Sequence, residues 1–251
     1  MFFNIILIYS NGFAHDIRSY SEIDDKTRNS LNLVLCSLNY QNNEDFAKDR
    51  ETLIQKLKKT KPFDEFNSLG LWYVNISRKE EGEIFKPTEG FPPLKVRNDF
   101  LGDIFARLKS EYKLIIIDAS GSTSCAELSS LDKTSLIILG KTRYKDENSF
   151  AKGFLHELGH SFGLRDECID CEQICPAGKP NCARDKEEAE RFWGDLVGKD
   201  SRVNYIAGCC GNRDYIRPTI ASLMNDADKA EDFGPVNERY LRKIILEKES
   251  E

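Results

Sequence analysis

The sequence predicts a mixed α+β fold, a twisted sheet packed on helices, followed by an irregular cysteine-containing C-terminal part. Three observations lead there. Short apolar runs of strand length alternate with amphipathic stretches of helical period. Two of the chain's three histidines, His156 and His160, stand four residues apart in one such helical stretch. Beyond that pair the pattern breaks, and Cys168, Cys171, Cys175, Cys182, Cys209 and Cys210 crowd into an irregular segment.

Taken in order, Leu31 to Leu38 reads as a strand, and Asn43 to Lys59 as a helix with Leu53, Ile54 and Leu57 on its apolar side. Leu69 to Ser77 is a second strand, and Glu81 to Pro93 a loop rich in glycine and proline. Asp99 to Tyr112 is a helix that places Phe100, Ile104, Phe105 and Leu108 on one face. Leu114 to Ile117 and Ser135 to Leu139 are short apolar strands. Lys145 to Phe162 is the helix carrying the histidines, and a last helix opens near Pro235 and runs to about Glu247. This divides the chain into a sheet-and-helix part over 1–163 and an irregular part over 164–251, with a cleft between them. Phe2 to Tyr9 is apolar apart from Asn4 but far too short to span a bilayer. It reads as a strand, with a degenerate signal peptide as the alternative.

The chemistry concentrates in His156-Glu157-Leu158-Gly159-His160. Side chains four apart on a helix point the same way, so two imidazoles can close on one Zn²⁺ from a single rigid segment. Glu157 lies beside the first of them, where a carboxylate serves as general base towards a water activated by the ion. Gly163 can end the helix, because glycine accepts the left-handed cap conformation. A residue three further on can then swing back, and Asp166 stands there with an oxygen suited to zinc. Three protein ligands leave one coordination position open, which is the catalytic arrangement.

On the residues His156, Glu157, His160, Gly163 and Asp166 the chain resembles the metzincin-type zinc peptidases, whose signature is HExxHxxGxx followed by a third ligand. Asp166 stands where most of them carry histidine. Metzincins also place a methionine-containing turn beneath the metal. Met224, in Ala221-Ser222-Leu223-Met224-Asn225, is the one methionine besides Met1 and lies in the right order for it. A wider resemblance is to the IgA-peptidase-like metallopeptidases. It runs through Leu33-Val34-Leu35, Pro62-Phe63 and Leu71-Trp72-Tyr73-Val74 to the motif ending Leu164-Arg165-Asp166-Glu167. The interval after His160 is about one residue shorter than that pattern, so either Asp166 or Glu167 could be the third ligand. The resemblance implies a zincin/metzincin-like fold and a zinc-dependent endopeptidase. It also implies that substrate lies along an upper edge strand, for which Ser135 to Leu139 is the candidate. Tyr205, Tyr215 and Tyr240 read as structural rather than as donors to an oxyanion.

The six clustered cysteines admit two accounts. They form disulfides, which fits a secreted or cell-surface protein, or Cys168, Cys171, Cys175 and Cys182 hold a second, structural metal, starting from CxxC spacing. Cys36 and Cys125 lie in or near strands and read as buried thiols. Composition narrows the partners. Charged residues make up 31% of 251 residues, the net charge is −6, and the two signs are interspersed. No basic stripe suggests nucleic acid and no stretch is long enough to span a membrane. A monomer acting on peptide or protein substrates is the expectation. One motif points elsewhere: Asp118-Ala119-Ser120-Gly121-Ser122 spells the DxSxS of metal-dependent adhesion modules. A metal-dependent binding module is therefore the alternative function, and a catalytically silent zincin-fold binding protein a third; Glu157 argues against the latter.

Overall fold

A computed structural model describes residues 17–19, 31–66, 69–108, 110–126, 134–171 and 177–249. The segment Phe2 to Tyr9 and Cys175 lie outside them.

Among the described residues the architecture is built on one six-stranded mixed sheet. Its strands are β1 (Ile17–Ser19), β2 (Asn32–Leu38), β3 (Gly70–Val74), β6 (Tyr112–Asp118), β7 (Ser124–Ala126) and β8 (Thr134–Gly140), in the order β1-β3-β2-β6-β8-β7. The four inner strands run parallel, and β1 and β7 pair antiparallel at the two sides. Parallel strands are covered on both faces, so their sequences are apolar throughout while still alternating in direction. Leu33 and Leu35 of β2 and Ile115 and Ile117 of β6 enter one cluster; Val34, Cys36, Leu114 and Ile116 enter the other.

The first face is covered by α1 (Asn43–Leu57) and α4 (Glu147–Ser161). Phe46, Leu53, Ile54 and Leu57 of α1 meet Phe150, Phe154, Leu155 and Leu158 of α4 there, together with Met224, Phe233, Leu241 and Ile245 from the later chain. Both helices begin with a side chain that satisfies an orphan amide: Asn42 accepts from the Asp45 N–H at 2.8 Å and Asp146 from the Ser149 N–H at 2.7 Å. The second face is covered by Phe100, Ile104 and Leu108 of α3 (Asn98–Leu108). Phe105, expected on the same stripe, is exposed. Later come α5 (Lys186–Trp193), the hairpin of β9 (Ile206–Cys209) and β10 (Asn212–Arg217), and α6 (Pro235–Glu249). Among the described residues, no helix is long and apolar enough to cross a membrane.

Three expectations need correction. The stretch expected as a loop, Glu81 to Pro93, instead begins inside the helix α2 (Arg78–Ile84) and continues into the hairpin β4 (Phe85–Pro87) with β5 (Leu94–Val96). A capping box nucleates that helix, the Ser77 N–H donating to the Glu80 carboxylate at 3.2 Å, which offsets the weak helix preference of Gly82. Second, Ser135 to Leu139 is not an edge. It pairs with β6 on one side and with β7 on the other, and β7 is too short to announce itself by periodicity. Third, the helix expected to reach Tyr112 ends at Leu108, because Tyr112 and Lys113 already pair with Asn32 and Leu33 in the sheet.

Lys113 is a charged residue buried in this sheet. Its ammonium donates to the Ser161 carbonyl at 2.8 Å and to Ser135 Oγ at 3.3 Å, and lies 4.2 Å from the centre of the Phe162 ring. Burial pushes its pKa down to about 7. The unfolded chain keeps the proton to about pH 10, so the cost of burying the charge is complete below pH 7 and fades as pH rises towards 10. Lys113→Met should therefore stabilise the protein by about 2–4 kcal/mol near pH 6, with the gain shrinking steadily towards pH 10. Denaturant unfolding of both proteins at several pH values measures it; a gain independent of pH would exclude the buried charge as its cause.

Candidate metal centre

Helix α4 presents its histidines at the end nearest its own C-terminus, and two backbone carbonyls fix their rings. The Leu223 carbonyl lies 2.8 Å from His156 Nδ1 and the Leu164 carbonyl 2.9 Å from His160 Nδ1. A carbonyl only accepts, so both Nδ1 atoms carry the proton and both Nε2 atoms are left with a lone pair. Those Nε2 atoms lie 3.1 Å apart. Asp166 Oδ1 completes a triangle, 3.3 Å from each of them.

With both imidazoles neutral this is a set of three acceptors with no donor among them. Ligand atoms bonded at about 2.0–2.1 Å to one tetrahedral zinc lie about 3.3–3.4 Å apart, so the triangle fits one face of such a site. Two imidazoles and one carboxylate also match the donor set of a catalytic zinc. In the metal-free chain a proton eases the repulsion. Burial alone would lower the His156 pKa, yet the bond to Asp166 outweighs it and raises the group to about 8. Burial likewise opposes ionisation of Asp166, and the two histidines overcome it and hold the carboxyl well below its ordinary range.

Two glycines make the geometry possible. Gly163 takes φ +95° just after the helix, donates to the His160 carbonyl at 2.8 Å, and turns the chain so that Asp166 returns to the histidines. Gly159 lies against the Met224 sulfur: a Cβ built there would fall 2.5 Å from Sδ. Met224 is thus fully buried directly beneath the histidine-bearing turn, and its neighbour Leu223 supplies the carbonyl for His156.

Glu157 is buried on the same helix, and desolvation raises its carboxyl above the ordinary range. Glu167, the alternative third ligand, is placed elsewhere. Its fully buried carboxylate accepts from Asn237 at 2.8 Å and Asn181 at 3.1 Å on one oxygen, and from Ser222 at 2.6 Å and Thr219 at 3.4 Å on the other. Its backbone N–H donates to the Met224 carbonyl at 2.8 Å. Glu167 therefore ties the Asp166 loop to the Met224 turn and to α6. Nothing local in the sequence marks its four partners, which come from three distant segments.

Other sequence candidates are resolved less centrally. Asp118 Oδ1 accepts from the Asn39 amide at 2.8 Å, from the Ser120 and Gly121 N–H groups at 3.0 Å and from Ser120 Oγ at 3.2 Å, so the DxSxS oxygen is committed to its own loop and to the end of β2. Tyr240 donates to the Phe162 carbonyl at 3.2 Å and closes the end of α4, while Tyr205 packs on Trp193. Tyr144 went unnoticed in the sequence. Its ring lies against α4 at Gly153, its hydroxyl is hydrogen-bonded to Ser124 of β7, and Glu157 is within electrostatic reach. The cysteines form disulfides: Cys168 with Cys171 and Cys182 with Cys209, and Cys210 is bonded as well. These pairs follow the disulfide account of the sequence; the other account, a second, structural metal on Cys168, Cys171, Cys175 and Cys182, would need those sulfurs reduced. Cys36 is a buried free thiol, and Cys125, also outside any disulfide, is half-buried on β7.

No protein-family model matches the chain. No curated protein matches it in sequence. Among solved structures it is similar to an archaemetzincin from Methanopyrus kandleri, with TM-score 0.39 and 13% identity over 89% of this chain and 97% of that one. It is also similar to a zinc-dependent peptidase from Methanocorpusculum labreanum, with TM-score 0.26 and 15% identity over 63% of this chain and 92% of that one. Likeness at this level carries no activity over to this chain.

The Glu167 cluster generates a prediction. Glu167→Ala strands four buried donors and should cost about 3 kcal/mol in denaturant unfolding. Exposed Glu247→Ala, on the same measurement, should change stability by less than about 0.5 kcal/mol.

Proposed function

We propose that this protein is a zinc-dependent endopeptidase of metzincin type. One observation carries the reading: two Nε2 lone pairs and one carboxylate oxygen converge at 3.1–3.3 Å, with a buried carboxylic acid on the same helical turn. His156, His160 and Asp166 would hold Zn²⁺. Zinc bound there would polarise the scissile carbonyl and lower the pKa of a water molecule.

The chain's own residues supply the rest. Glu157 sits in a desolvated position that makes its carboxylate a better proton acceptor than one in water, and it would take the proton of the attacking water and deliver it to the leaving amine. The carbonyls of Leu223 and Leu164 hold the imidazoles in the tautomer that leaves Nε2 available. Met224 supports the two histidines from below, in keeping with the methionine turn of metzincins. The resemblance to IgA-peptidase-like metallopeptidases rests chiefly on the run from His156 to Glu167, with weaker support from the earlier strands. β7, antiparallel and bonded on one side among the described residues, replaces Ser135 to Leu139 as the strand along which an extended peptide would lie. Tyr144, bonded to Ser124 on that strand, would hold it in register with the helix.

Metal analysis and a peptide-cleavage assay test this together. Purified protein should carry one zinc per chain, and a chelator should abolish turnover, with recovery on adding Zn²⁺. Glu157→Gln should keep the zinc and lose about 10²–10⁴ in turnover. Asp166→Ala should lose the zinc itself. Protein free of zinc that still cleaves peptides, or a Glu157→Gln variant with full turnover, would refute the assignment.

A further inference from the structure

Asp166 belongs to two clusters. One of its carboxylate oxygens groups with His156 and His160, and one also lies within 4.8 Å of both Cys168 Sγ and Cys171 Sγ. The disulfide of a Cys-x-x-Cys segment therefore stands beside the carboxylate proposed to hold the ion.

We propose that the ligand set of the metal centre depends on the redox state of this disulfide: when it is reduced, Cys168 or Cys171 becomes a thiolate ligand to the ion. The inference rests on the zinc-centre reading above and extends it to two residues that have no part in the peptidase mechanism. A carboxylate oxygen and a thiolate sulfur sharing one tetrahedral zinc lie about 3.6 Å apart, given Zn–O near 2.1 Å and Zn–S near 2.3 Å. The present separation is at most 4.8 Å and no histidine shares that group, so a freed cysteine side chain must swing towards the imidazoles as well as towards Asp166 to reach the ion. The Cys210 N–H donates to the Asp166 carbonyl at 3.0 Å and the Gly211 N–H to the Cys168 carbonyl at 3.1 Å, so both residues stay pinned to the β9–β10 hairpin. Both cysteines are only half-buried, and Asp170 between them is exposed, which gives a reductant access.

The chemistry closes without further parts. A dithiol reductant attacks one sulfur, the S–S bond breaks, two electrons and two protons pass to Cys168 and Cys171, and the reductant leaves as its own disulfide. One of the two thiols then gives up its proton on binding the ion, as a metal-bound cysteine does. Zinc prefers thiolate to carboxylate, so the sulfur takes either the open position or that of Asp166. In both cases the reduced centre loses its catalytic arrangement.

Cobalt(II) in place of zinc reads this out directly, because a thiolate bound to Co²⁺ adds a charge-transfer band in the near-ultraviolet. Oxidised full-length protein should take up one Co²⁺ and show no such band. Adding a phosphine reductant, which consumes one water per disulfide and contributes no thiol of its own, should make the band appear at one sulfur per ion, and reoxidation should remove it. C168S frees Cys171 and C171S frees Cys168; whichever shows the band without reductant identifies the ligand. C168S/C171S should show no band in either state. Co²⁺ uptake with no band on reduction overturns the redox ligand alone. The same band in C168S/C171S overturns it too, placing the sulfur elsewhere. Failure to take up Co²⁺ in either state overturns both this inference and the zinc centre on which it rests.

Discussion

Three lone-pair atoms aimed at one another across 3.1–3.3 Å are the feature on which the rest of the molecule turns. Such a cluster repels itself unless a cation sits among its members, and a folded chain holds it together only by over-determining each member. That is how it is built here. One carbonyl orients each ring, Gly163 returns the third group, and Glu167 clamps the loop that carries it to the turn lying under the helix. A metal between these atoms would convert the repulsion into the driving force for the local structure, since site formation and folding of the surrounding loops are one equilibrium.

The sheet's contribution is rigidity at a distance. Helix α4 lies on β7 and β8 and against α1, so the histidines ride on an element fixed along its whole length, whereas Asp166 and Glu167 come from irregular chain held by side-chain bonds. The two parts are coupled through Leu223 and Met224, which sit in the main core and touch the site at the same time. A disturbance in the loops after α4 therefore reaches each imidazole through the carbonyl that fixes it, Leu223 for His156 and Leu164 for His160. The Cys168–Cys171 disulfide lies within that loop system, which is why its state bears on the ion.

Much of this was legible in the residues. The alternation within Leu33-Val34-Leu35-Cys36 and Leu114-Ile115-Ile116-Ile117 states outright that both faces are covered, and the chain does cover both. The spacing of His156 and His160 needs only helical geometry to bring them together, and Gly163 needs only its permitted φ to end the helix. What could not be read was contact between segments far apart in sequence. β7 is three residues long and carries no period of its own, so periodicity alone places the edge one strand too far inward. The Gly- and Pro-rich look of Glu81 to Pro93 concealed a capping box and a hairpin, because composition averages over positions that capping reads singly.

The sequence by itself determined that a helix would bring His156 and His160 onto one side, which residues it offered, and that a mixed sheet packed on helices would carry it; each follows from periodicity and spacing within a few turns of chain. It favoured Asp166 over Glu167 by spacing alone, with Glu167 left as the alternative, since adjacent acids share composition and lie one residue apart. Only the tertiary structure separated them. Asp166 faces the histidines and Glu167 meets Asn181, Ser222, Thr219 and Asn237, partners lying 14 to 70 residues away. The same holds for the cysteines, whose pairing depends on which loops meet. Local chemistry sets what a residue is able to do, and the distance to its neighbours in space settles which of those things it does.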